Sequence, residues 1–127
     1  MEPMLENESR IRDIAQHLSD HKGEDTVALY IGEASGFTDY FVITTVTSMG
    51  HMRGLVRQLG EHLRENGIVP LSRLKHVEEN GWTLIDCGFV VIHLMTREMR
   101  EFYDLERLWF HGKEIFHSSS SSSARSS

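Results

Sequence analysis

The segment Tyr40-Phe-Val-Ile-Thr-Thr-Val46 offers no side to water. β-Branched and aromatic residues fill it almost throughout, which favours a strand. Its near-continuous apolar character calls for burial on both faces, so it belongs in a sheet with helices packed on it. The chain supplies such helices. Ile11, Ile14, Ala15 and Leu18 recur at i, i+3, i+4 and i+7, with Ser9 placed as an N-cap and Gly23 beyond the end. Met52, Leu55, Val56, Leu59 and Leu63 repeat the pattern, with Ser48 positioned to cap and Gly67 and Pro70 to terminate. Arg53, Arg57, Glu61, Arg64 and Glu65 fall largely on the other side of that second helix.

The remaining elements follow from turn chemistry. Thr26-Val-Ala-Leu-Tyr-Ile31 reads as a strand closed by Gly32 and Gly36. Trp82-Thr-Leu-Ile-Asp86 and Phe89-Val-Val-Ile-His-Leu-Met95 are separated only by Cys87-Gly88, a hairpin signal. Leu71 to Asn80 is polar and unperiodic; a short strand and an extended loop both fit. A last helix runs from Thr96 to Trp109, with Met99, Phe102, Tyr103 and Leu105 among its apolar residues. The expected fold is α/β, a single mixed sheet flanked by helices in the order α-β-β-α-(β)-β-β-α. With 127 residues there is room for one domain with a real core, assigned to 1–117. Residues 118–127 are eight serines with Ala124 and Arg125; they have nothing to bury and are expected to be a disordered tail or a remnant of expression.

Charge and cysteine content narrow the function. Thirteen Lys and Arg stand against nineteen Asp and Glu, a net charge of −6. Such a surface repels phosphate at a distance, which argues against a protein that tracks nucleic acid through its global field, though a local basic patch is compatible with it. The single cysteine, Cys87, excludes an internal disulfide and a cysteine-cluster metal site. The opening Met1 to Ser9 is acidic without an apolar run, and the longest apolar stretch, Phe89 to Ile92, is too short to span a bilayer. A soluble protein of a reducing, cytoplasmic compartment is expected, with no membrane partner.

Enzymatic chemistry finds little purchase. No glycine-rich phosphate loop and no Gly-x-Ser-x-Gly elbow occurs. His17 and His21 lie four apart on the first helix, but a zinc site needs a further ligand and supporting contacts, so they read as solvated histidines near a helix C-terminus. Asp39 and Asp86 could pair for metal-assisted chemistry with Ser48; each aspartate also suits a turn that needs its backbone N–H groups satisfied. Cys87 reads as a small apolar residue, since no histidine is set beside it. Trp82 is different. It shares a strand face with Leu84 and Asp86 while Thr83 and Ile85 share the other, so it fits either a core position or an interface anchor.

An ordered set of segments carries a family resemblance: Thr38-Asp-Tyr-Phe-Val-Ile43, Thr47-Ser48 with His51, Trp82-Thr-Leu-Ile-Asp-Cys-Gly88, Val91-Ile-His93 and Arg100-Glu-Phe-Tyr-Asp-Leu-Glu-Arg-Leu-Trp109. Together they resemble the ribosome-silencing factor, or Iojap, family over about Ile11 to Trp109. The resemblance implies a nucleotidyltransferase-like fold and a translational repressor that is not an enzyme, with no cofactor, no metal and no small-molecule substrate. It further implies binding to the large ribosomal subunit through ribosomal protein L-fourteen, with at most incidental rRNA contact, so that the small subunit cannot join. Active relatives of the fold carry Gly-Ser before a helix and an Asp-x-Asp pair; here Val46-Thr47-Ser48 stands there and no Asp-x-Asp occurs. The alternative is a divergent nucleotidyltransferase-fold enzyme or nucleotide-binding protein using a divalent metal at Asp39, Ser48 and Asp86. By resemblance the partner meets Trp82, the turn Asp86-Cys87-Gly88-Phe89, and the neighbouring helix end, with Arg100 and Tyr103 as a polar rim. Monomer and homodimer both remain compatible with the sequence.

Overall fold

The computed structural model describes residues 3–32, 38–71, 80–108 and 112–118. The ambiguous stretch between Leu71 and Asn80, the expected end of the last helix at Trp109 and the serine tail beyond Ser118 lie outside them. The elements are α1 (Pro3–Asp20), β1 (Glu24–Tyr30), β2 (Tyr40–Val46), α2 (Met49–Glu65), β3 (Trp82–Asp86), β4 (Val90–Thr96), α3 (Arg97–Tyr103), α4 (Leu105–Leu108) and β5 (Lys113–His117). The strands form one mixed sheet in the order β3-β4-β2-β1-β5. β2 and β4 run parallel, and the other neighbours are antiparallel.

β2 is central in this order, and all seven of its residues are buried, the two-sided burial its composition demands. Its alternate residues feed two cores. Tyr40, Val42 and Val46 join Ile11, Ile14 and Leu18 of α1 and the buried stripe Met52, Leu55, Val56, Leu59 and Leu63 of α2. On the opposite side Phe41 packs with Val27, Leu29, Ile31 and Val91, and Ile43 packs with Met95 and Leu105. The helices α1 and α2 thus cover one face, while Leu105 of α4 and Met99 of α3 cover one end of the other.

Ser48 caps α2 by accepting the His51 N–H at 3.0 Å, as the sequence predicts. Four expectations are corrected. α1 starts at Pro3 rather than after Ser9, because a proline suits the first helical turn and the polar residues that follow carry no periodic signal. β4 starts at Val90: Cys87 N–H donates to the Val90 carbonyl at 2.9 Å, which makes Gly88 and Phe89 the central turn residues. Gly88 has φ of 89°, a conformation that favours glycine. The last helix is broken at Asp104, which adopts the left-handed conformation (φ 48°, ψ 56°) and donates its N–H to the Arg100 carbonyl at 2.8 Å. Finally, the sequence reading omitted β5, an antiparallel neighbour of β1 with only Ile115 fully buried.

Candidate functional site: an aromatic face beside the sheet edge

β3 neighbours only β4 in the described strand order, and its burial alternates as the sequence requires. Thr83 and Ile85 point to the helical core, where the Thr83 hydroxyl meets the Met52 sulfur at 3.0 Å. Trp82, Leu84 and Asp86 point the other way. Leu84 is 50% exposed, and two aromatic residues of α3 are exposed nearby, Phe102 at 76% and Tyr103 at 45%. Ring centroids link them: Trp82 to Tyr103 at 4.9 Å and Tyr103 to Phe102 at 4.9 Å. Trp82 lies between core and surface. Its inner edge packs against the Ile43, Met95 and Leu105 cluster, its indole N–H donates to Nδ1 of His93 at 3.1 Å, and the residue remains only partly buried.

α3 holds its aromatics in place through a charge turned inward. Thr96 caps the helix by accepting the Met99 N–H at 3.3 Å. Arg100 is only 7% exposed. Its Nη1 donates to Thr45 Oγ1 at 2.9 Å and to the Glu24 carbonyl at 3.5 Å, while Nη2 and Nε reach the Glu106 carboxylate at 2.6 and 3.4 Å. One guanidinium therefore ties α3 to β1, β2 and α4. Arg100 is not a rim residue, a correction with a plain cause: the donors that a partner would use are spent inside. Arg97, more exposed, pairs with Asp25 at 2.9 Å and Glu24 at 3.3 Å and braces the start of the same helix.

The turn keeps the expected roles of Asp86 and Cys87 as turn and apolar residues, but not the expected exposure of Cys87 and Phe89. Asp86 accepts the Gly88 N–H at 2.8 Å, so its carboxylate serves the turn while sharing the Trp82 side of β3. Cys87 is buried, and burial together with the Asp86 charge pushes its thiol up to about 11. Phe89 packs against the helical core, and the Arg10 guanidinium of α1 lies 5.8 Å from its ring centre. Cys87 and Phe89 thus belong to the opposite face. The face itself is built from Trp82, Leu84, Phe102 and Tyr103. The sequence reading did not single out Leu84 or Phe102 as contacts, although Leu84 shares the two-residue period of Trp82.

The fold does not bring the three residues of the metal-dependent alternative together. The seven residues of β2 separate Asp39 from Ser48, about 20 Å of strand, whereas Asp86 and Asp39 lie toward the same end of the sheet. His17 is not solvated as expected: its ring lies 4.2 Å from His21 and 4.5 Å from His62 of α2, and burial followed by His62 and His21 lowers its pKa. No group of three or more His, Cys, Asp or Glu among the described residues is arranged to hold a metal. No helix among them is long and apolar enough to cross a membrane.

Comparison with known proteins decides the family. Residues 5–127 match the model of the ribosomal silencing factor during starvation. The chain belongs to that family. A ribosomal silencing factor of Bacillus subtilis is 30% identical over 105 residues, covering 83% of this chain and 88% of its own. A mouse protein named mitochondrial assembly of ribosomal large subunit protein 1 is 34% identical over 95 residues, which span 72% of this chain and 41% of that protein. A crystal structure of a Chromobacterium violaceum protein superposes with a TM-score of 0.72 at 28% identity, covering 86% of this chain and 87% of the other. Membership places this acidic α/β domain among ribosome-associated regulators of translation.

Proposed function

We propose that this protein represses translation by docking its aromatic face on ribosomal protein L-fourteen of the large subunit, where it blocks joining of the small subunit. The observation that carries this reading is the exposed row of Leu84, Phe102 and Tyr103 beside the half-buried Trp82, in a chain whose family is one of ribosome silencing. Rigid aromatic residues partly seated in a core give contact area at small entropic cost, which is what interface anchors require. Trp82 and Tyr103 are the anchors, and Asp86 supplies an acidic position at the far end of β3. Cys87, Phe89 and Arg100 support the face from behind it. The net charge of −6 favours a basic ribosomal protein as partner and discourages broad contact with rRNA.

Co-sedimentation with isolated large and small subunits tests the reading. Binding to large subunits without nucleotide, lost in the double variant Leu84→Ser with Phe102→Ser, is the expected result. Those two side chains are exposed, so their loss perturbs the face with little effect on the core. Mg²⁺-dependent nucleotide binding, with no affinity for large subunits, would favour an enzyme instead.

A further inference from the structure

β4 reads Val90-Val-Ile-His-Leu-Met-Thr96, and His93 is the one ionisable residue in it. It is 3% exposed. Its Nδ1 faces the indole N–H of Trp82 at 3.1 Å. An indole nitrogen donates and never accepts, so Nδ1 must hold the lone pair and the ring proton sits on Nε2. That Nε2 is buried and has no hydrogen-bond partner among the described residues. The imidazole meets the Phe41 ring of β2, ring centroids 4.6 Å apart and planes at 66°, and its cross-strand neighbour is Leu84. An imidazole with an orphaned N–H in such surroundings is an expensive choice, because a phenylalanine would fill similar space without a buried ring N–H of its own, at the cost of the acceptor for Trp82.

We infer that His93 is the positioning residue of the docking face, orienting the Trp82 indole through the bond to its Nδ1. Among the described residues, the Trp82 ring otherwise packs on the Ile43, Met95 and Leu105 cluster and against the exposed ring of Tyr103. Apolar packing is non-directional, so it leaves the indole free to tilt in its seat; the hydrogen bond adds the missing direction. Because Tyr103 leans on Trp82 and Phe102 on Tyr103, a tilt at the first ring carries to the other two. His93 thus lowers the stability of the isolated domain and raises its affinity by pre-organising a surface it does not itself form. Burial also drives its pKa down to about 4, which keeps the accepting lone pair available at neutral pH.

This inference rests on the docking surface proposed above, and its test separates the two. His93→Phe removes the acceptor and keeps an aromatic ring; His93→Asn puts Oδ1 where Nδ1 lies. The readouts are solvent exchange of the Trp82 indole proton by NMR (with Trp109→Phe to assign it), thermal melting, and binding to isolated large subunits. His93→Phe should melt no lower than the parent, exchange its indole proton faster, and bind large subunits about tenfold more weakly. His93→Asn should restore both protection and binding, although its smaller side chain lowers the melting temperature. A merely structural role would instead move binding only in proportion to melting, in both variants. Unchanged indole protection in His93→Phe overturns the inference, as does unchanged binding in a background where Trp82→Ala binds poorly. If Trp82→Ala binds as well as the parent, the docking surface itself is wrong and the role of His93 falls with it.

Discussion

Replacing Arg100 by leucine should destabilise the domain heavily while adding no charge to its surface. The guanidinium is 7% exposed and holds four acceptor contacts on three other elements. Loss of one partner from a fully buried ion pair costs about 3–5 kcal/mol. Glu106 is 35% exposed at its side chain and regains water when released, so the ion-pair part lies below that range. Thr45 Oγ1, which is buried, and the Glu24 carbonyl then lack this donor, at about 1–3 kcal/mol for an unsatisfied group. The net expectation is ~3 kcal/mol, or about 10–15 °C in melting temperature for a domain of this size. Glu106→Gln, changed on the wetter side, should cost only ~1 kcal/mol. Calorimetry or circular dichroism on both variants measures the difference. Equal and small effects would refute the internal role of the guanidinium. Unchanged melting with lost large-subunit binding would return Arg100 to the rim of the interface.

Three further outcomes follow from the same geometry. Trp82→Ala should lose ~2–4 kcal/mol of stability, because its inner edge packs on Ile43, Met95 and Leu105, and should also weaken large-subunit binding beyond what melting explains. Acid should destabilise the fold: His93 is held to about 4 and His17 also below the usual 6.5, so the unfolded chain takes up protons first. Stability is therefore complete above about pH 6.5, falls as pH drops toward 4, and loses ~3 kcal/mol from His93 alone; His93→Phe should flatten that slope in urea melts. Cys87 should react with iodoacetamide at pH 7 far more slowly than a free thiol, since burial and Asp86 hold it protonated at about 11; full-speed labelling of folded protein would contradict its placement.

What the sequence conveyed, it conveyed through periodicity. The bounds of β2 and β3 and the five buried residues of α2 were legible because each element buries a face whose spacing is its own signature. β5 was not, because an edge strand with one fully buried residue has almost no pattern to show. The break at Asp104 was hidden because apolar residues continue on both sides of a backbone turn that hydrophobic spacing does not encode. The aromatic face was half legible: alternation along β3 set Trp82 and Asp86 on one side, but the burial of Arg100 depends on Glu24 and Thr45, distant in sequence. A charged residue without visible local partners reads as surface, and here it is interior. Phe89 was misplaced for a related reason, since a one-residue shift of the turn sends its side chain to the opposite face.

The decisive experiment mixes purified large and small ribosomal subunits with and without a molar excess of the protein and resolves free subunits from joined ribosomes on a sucrose gradient. The expected result is a fall in the joined fraction, with the protein travelling on the large subunit and absent from the small. In the parallel run, the Leu84→Ser and Phe102→Ser double variant should leave joining intact. A joined fraction unaffected by the parent protein, or equally reduced by parent and double variant, would contradict silencing through this aromatic face.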